Sequence, residues 1–188
     1  MPMLSISTVP AARRTLAATD PVRVRLNDAR RVTIRPILPS DLEALRQFFA
    51  TLSRATRRLR FHSPVSELPE HVLREFMVND RAHAAFVAEI DDSAVDHRKT
   101  LVAEARYIRS GNSESAEFAL VVADNWRRIG LGTTLTRILA QRARITGVLR
   151  LWGDVLDDNK AMRGLAHSLG ARLSRGMGCL RVQLSLNP

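Results

Sequence analysis

The sequence predicts a mixed α/β domain, and three features of its apolar pattern predict it. Strand-like segments follow one another at 84–90, 100–108 and 116–123. A block of helical periodicity precedes them, between residues 40 and 77. After them, helix and strand alternate through residues 131–146, 148–156, 159–170 and 178–186. Consecutive strands pair as hairpins, whereas strands separated by helices can lie parallel. The expected architecture is therefore one mixed sheet with helices on both faces.

The first strand is "VTIRP", closed by Pro36. A helix follows in "LPSDLEALRQFF". Ser40 and Glu43 stand at capping-box spacing, and Leu42, Leu45, Phe48, Phe49 and Leu52 recur at helical spacing. A short helical piece is expected at 54–60. A third helix lies in "ELPEHVLREFMV", with Pro69 in its first turn and Val72, Leu73, Phe76 and Met77 as its apolar face. The polar run "DDSAVDHRK" makes a hairpin loop between 84–90 and 100–108, and "SGNSES" makes the next turn. The strand "AEFALVVA" is almost continuously apolar, so it is expected to be central and buried on both faces. Leu131, Leu135, Ile138 and Leu139 mark a helix that Gly147 ends. "VLRLWGDVL" is a strand, "NKAMRGLAHSLG" a helix closed by Gly170, and "GCLRVQLSL" the last strand, with Gly176 and Gly178 shaping the turn before it.

Length and composition fit one domain with a sizeable core: 188 residues, 45% apolar and 26% charged. Residues 1–22 read as a flexible extension, and 23–188 as the domain. The net charge is +10, and every basic residue except Lys99 and Lys160 is arginine. Such a balance suits an anionic partner, and it equally suits codon bias. The arginines are spread along the chain, and aromatics are only 5%, which argues against a nucleic-acid interface. No apolar run reaches membrane-spanning length, so no membrane partner is expected. The single cysteine, Cys179, forms no disulfide within the chain and fits a reducing cytoplasm. The five histidines show no metal-ligand spacing, so no metal is expected.

The densest chemical signal is "NWRRIGLGTTL", residues 125–135, at a strand-to-helix junction. The first amides of a helix lack internal partners, and the helix dipole adds partial positive charge there. Gly130 and Gly132 let an anion approach the backbone, and Arg127 and Arg128 add formal charge. A Walker A loop would need Gly-Lys-Ser/Thr at the second glycine, but Thr133 and Thr134 follow Gly132. A dinucleotide fingerprint would need a glycine where Leu135 stands. Taken alone, the stretch is either an anion site or a tight junction.

In context, Arg127-x-x-Gly130-x-Gly132 after "FALVVAD" resembles the coenzyme A pyrophosphate motif of the GNAT superfamily of N-acetyltransferases. "VTIRPILPSDLEAL" resembles that family's first strand and helix, and "GDVLDDNKAMRGLAHSLGARL" its second motif. Together with "SAEFALVVADNWRRIGLGTTL", these segments resemble the catalytic domain of bacterial Pat-type protein lysine acetyltransferases. The resemblance covers residues 30–186. It implies a mostly antiparallel mixed sheet with splayed central strands and acetyl-CoA as the acyl donor.

The resemblance also implies site residues. The backbone at Leu120 and Val122 would pair with the pantetheine arm, with Val121 between them in the cofactor-binding segment, while Arg127, Arg128, Ile129, Gly130, Leu131, Gly132 and Thr133 would hold the pyrophosphate. Asn159 would lie near the cofactor arm, and is equally a helix N-cap. A lysine amine with a pKa of ~10.4 is almost wholly protonated at neutral pH, so its attack on a thioester needs a base. Glu117 opens an otherwise apolar strand and stands where the family has its catalytic glutamate. Glu104, on the neighbouring strand, is the second candidate. Two departures stand out. Ala166 occupies the place of the tyrosine that many GNAT enzymes use as general acid, and Arg128-Ile129 replaces the loop's usual glycine and base. The acceptor is expected to be a protein lysine. A small amine as acceptor, or a non-catalytic acyl-CoA-binding module, are the alternatives. Monomer and dimer are both compatible with the sequence.

Overall fold

The computed structural model describes residues 20–92, 98–176 and 178–186. Most of the proposed N-terminal extension and the tip of the first hairpin lie outside these residues. The elements run β1 Val22–Arg25, β2 Arg31–Pro36, a 3-10 turn at Pro39–Asp41, α1 Leu42–Thr51, α2 Arg54–Phe61 and α3 Glu70–Glu75. They continue with β3 His83–Asp92, β4 Arg98–Arg109, β5 Ser115–Val122 and a second 3-10 turn at Asp124–Trp126. The chain closes with α4 Leu131–Ile145, β6 Arg150–Val155, α5 Lys160–Ser168, β7 Arg172–Arg175 and β8 Leu180–Ser185.

One eight-stranded sheet takes the order β1-β2-β3-β4-β5-β6-β8-β7. Every pairing is antiparallel except β5 with β6. The expected strands and helices all form, and two further strands appear. In β1, valine alternates with arginine, which suits an edge strand with one face on the sheet. In β7, "RLSR" is exposed at every position and pairs only with β8, so no apolar period announces it.

Two apolar clusters sandwich the sheet. Leu131, Leu135 and Leu139 of α4 pack on Ala103, Ala105, Tyr107 and Phe118. On the other face, Leu45, Phe48 and Phe49 of α1 and Leu73 of α3 pack on Ala85, Val87 and Val121. The capping box expected from Ser40 and Glu43 does not form. Asp41 turns inward instead, where its carboxylate accepts the Leu38 amide at 2.7 Å and two Arg35 hydrogen bonds at 2.7 and 2.8 Å. Glu43 accepts from Gln47 on the helix surface. Pro69 precedes α3 as its N-cap rather than opening its first turn.

The parallel β5–β6 pairing spans only Ser115–Glu117 against Arg150–Trp152. Beyond it the two strands part. At the parting, β6 passes so close to β5 that a Cβ on Gly153 would lie 2.7 Å from the Phe118 carbonyl oxygen. The strand β5 is central, as expected, but it is not buried on both faces throughout. Leu120 and Val122 are only half-buried, because no neighbouring strand covers the β6-facing edge there.

Candidate functional site

A cleft of about 630 Å³ opens where β5 and β6 separate. Leu120, Val121 and Val122 form one wall, α2 contributes Thr56, Leu59 and Arg60, and α5 contributes Asn159–Met162, Gly164, Leu165 and Ser168. Arg127, Arg128, Gly130, Gly132 and Thr133 close one end. Ala123 donates to Val102 on β4 at 2.9 Å, which sets the phase of the antiparallel ladder. Alternation then turns the backbone groups of Phe118, Leu120 and Val122 toward β6. The edge at Leu120 and the Val122 amide thus face the cleft without a strand partner, while the Val122 carbonyl accepts from Arg127 Nε at 3.2 Å.

The loop that begins α4 leaves the first amides of the helix open, as the glycine pattern predicts. Gly130 sits at φ +88° immediately before the helix. The first hydrogen bond back to it comes from Thr134, so the amides of Leu131, Gly132 and Thr133 have no helical acceptor. A Cβ on Gly132 would stand in van der Waals contact with the Leu120 side chain, at 3.4 Å. Arg128 has φ +61°, a left-handed conformation that disfavours a side chain by about 1–2 kcal/mol. The Ile129 side chain packs on the core, and Leu131 is fully buried, so these two contribute backbone only.

The two loop arginines differ. Arg127 is held by the protein: besides the Val122 carbonyl it donates to Thr56 Oγ1 at 2.6 Å and pairs with Asp124 at 3.2 Å. Asp124 in turn accepts from Thr56 and from the Ser53 amide and hydroxyl, which ties the start of α2 to the loop. Burial pushes the Asp124 carboxyl up, but these hydrogen bonds and Arg127 outweigh it and hold the group below the usual aspartate value. Arg128 makes no ion pair or side-chain hydrogen bond among the described residues.

Asn159 caps α5, accepting the Met162 amide at 3.0 Å, and also lines the cleft. Ala166 is buried in the core, and the residues of that last helical turn that reach the cleft are Leu165 and Ser168. The two glutamates sit in contrasting surroundings. Glu117 is exposed on the α1–α3 face, opposite Ile108 and Trp152, in the last residue pair before β5 and β6 part. Glu104 is fully buried. It accepts from Arg106 Nε at 2.7 Å, and Arg60 approaches to 3.7 Å. Burial pulls the Arg106 guanidinium down to about 10, offset in part by Glu104. Neither glutamate lines the cleft itself.

Thr56, Arg60, Lys160 and Ser168 carried no motif that would have singled them out. Asn27, in the β1–β2 turn, also lines the cleft, and its only signal was the turn-forming pair Asn27-Asp28. Among the described residues, no group of three or more His, Cys, Asp or Glu could hold a metal ion. No helix among them is long and apolar enough to cross a membrane.

The dimensions and chemistry of this cleft fit a CoA thioester. Free helix amides and a guanidinium stand at one end for phosphate, and an unpaired strand edge stands ready for an amide-bearing arm. Comparison with known proteins agrees. The model of the "Acetyltransferase (GNAT) family" matches residues 45–171. An acetyltransferase of Pseudomonas aeruginosa is 34% identical over 146 residues, 77% of each chain. The acetyltransferase Pat of Mycolicibacterium smegmatis is 31% identical over 180 residues, 94% of this chain, and the chain spans 53% of that relative's length. Among solved structures, the GNAT domain of S. lividans PAT superimposes with a TM-score of 0.80 at 25% identity, covering 88% of this chain and 96% of that domain. The chain belongs to the GNAT acetyltransferase family, as an acetyl-CoA-dependent N-acetyltransferase.

Proposed function

We propose that the acceptor is a lysine side chain of a protein and that Glu117 is the general base. The observation that carries this reading is the position of Glu117. It is an exposed carboxylate at the point where β5 and β6 part, on the sheet face opposite α4. Donor and acceptor can then enter from the two faces and meet in the gap. Similarity to Pat proteins supports protein lysine as the acceptor class.

When bound, acetyl-CoA supplies the activated acetyl group as a thioester. The amides of Leu131, Gly132 and Thr133, with Arg128, hold the pyrophosphate. Arg127 positions the loop through Val122, Thr56 and Asp124. The Leu120 and Val122 backbone pairs with the pantetheine arm, with Asn159 beside it. Glu117, directly or through one water, takes the proton that the attacking amine loses as the new C–N bond forms and the C–S bond breaks, and CoA leaves as the thiolate, which takes its proton from solvent. A β5 amide facing the gap stabilises the developing oxyanion. Glu104 is fixed between two arginines and serves structure, not proton transfer.

The test is to incubate the chain with acetyl-CoA and a lysine-bearing protein, following CoA release and the acceptor's mass. Release coupled to lysine acetylation supports the reading. Acetylation of small amines alone would move the acceptor class, and CoA binding without release would leave a regulatory module.

A further inference from the structure

The turn between β1 and β2, residues 26–30, precedes the segment matched by the family model, which begins at residue 45. It is nevertheless built into the donor site. The Asn27 amide donates to the Ile129 carbonyl at 3.1 Å. The Arg30 guanidinium donates twice to the Asn125 carbonyl, each at 3.1 Å, and stacks 4.1 Å over Trp126. Two clamps thus fix the turn against both sides of the 125–130 loop. Between them, the Asn27 carboxamide lies on the bare face of Gly130, where a Cβ would meet its Oδ1 at 3.3 Å and its Nδ2 at 3.4 Å. The carboxamide is exposed, lines the cleft beside Arg128, Gly130 and Gly132, and makes no hydrogen bond among the described residues.

We propose that Asn27 is a phosphate-binding residue of the donor site, its Nδ2 donating to the nucleotide pyrophosphate held at the start of α4. The assignment rests on the reading that this cleft takes a CoA thioester. Its geometry follows from the two clamps: the backbone at Asn27 cannot leave the loop without breaking the Ile129 bond, so the carboxamide stays within reach of an anion at the start of α4.

The test compares acetyl-CoA with acetyl-pantetheine, which lacks the phosphates, in wild type, Asn27→Ala and Asn27→Asp. A lost hydrogen bond to a charged group predicts KM for acetyl-CoA raised about tenfold or more in Asn27→Ala, with kcat unchanged. Asn27→Asp, which faces phosphate with a carboxylate, should lose more. With acetyl-pantetheine the three proteins should have the same kcat/KM, whereas a merely structural role would lower both donors alike and overturn the proposal. Calorimetric CoA binding to Asn27→Asp, nearly the shape of wild type, decides the matter if Asn27→Ala fails to fold or the truncated donor is too slow: wild-type affinity overturns the assignment. A wild-type protein that binds no CoA would instead sink the acetyl-donor reading itself.

Discussion

Glu104 and Glu117 are two residues of the same kind on adjacent strands, and substitution by glutamine should separate structure from chemistry. Glu104 is fully buried between Arg106 and Arg60, and Arg106 itself is nearly as buried, its guanidinium lying 3.0 Å from the Phe76 ring centroid. Glutamine keeps the shape of Glu104 but leaves two guanidiniums without a counter-charge. Removing one partner of a buried ion pair destabilises by about 3–5 kcal/mol, a large share of the roughly 5–15 kcal/mol that holds a domain together. For a chain of this size the melting temperature should fall by roughly 6–20 °C. Glu117 is exposed, so its substitution should stay within about 0.5 kcal/mol of wild-type stability while lowering kcat by about 10²–10⁴ as the base is lost. Thermal melting and CoA release, measured on both variants, give opposite patterns. A Glu104→Gln protein that melts like wild type yet turns over slowly would make Glu104 a chemical residue. A Glu117→Gln protein with unchanged kcat would refute the base assignment.

Three further outcomes follow from particular contacts. Arg128→Gly exchanges a strained left-handed arginine for the residue that conformation favours, so stability should change by less than about 1 kcal/mol; CoA affinity, read by calorimetry, should weaken about tenfold or more with the lost charge. Tighter binding would show that Arg128 crowds the phosphates. Gly153→Ala places a Cβ 2.7 Å from a backbone oxygen that cannot swing aside, so β6 must shift from β5. A destabilisation of about 1–3 kcal/mol is expected in melting experiments, with KM for acetyl-CoA rising because the cleft mouth is displaced. Acid should unfold the protein through Asp41. Burial pushes its carboxyl up, but the Arg35 and Leu38 hydrogen bonds prevail and hold it below the ordinary 3.8. The unfolded chain therefore binds more protons, and the stability Asp41 contributes, present above that value, is lost as pH falls through the folded one. Asp41→Asn should flatten this limb of a stability-against-pH curve, and an unchanged limb would contradict the assignment.

The sequence by itself determined the order of the elements other than β1 and β7, and the glycine-bearing junction that opens α4. Helical spacing placed α1, α4 and α5, and the glycine and arginine pattern after an apolar strand placed the strand-to-helix junction that closes one end of the cleft, because both signals are local: they lie within one or two turns of chain. Signals carried by exposed or distant residues were not legible. The strand β7 shows no apolar period since every side chain on it meets solvent. In β1 valine and arginine do alternate, but the strand is short and its partner is met only after a turn. Ser40 and Glu43 matched a capping box, yet Asp41 won the local competition because Arg35, on β2, and the Leu38 amide converge on it. The two arginines of the loop look equivalent in sequence. Only the tertiary structure makes Arg127 a brace, through Thr56 and Asp124, and leaves Arg128 facing the cleft. The same holds for Glu104 and Glu117: whether a carboxylate is neutralised by buried arginines or exposed beside a gap depends on what neighbouring strands and α2 bring within a few ångströms, and that is a property of packing that no spacing along the chain encodes.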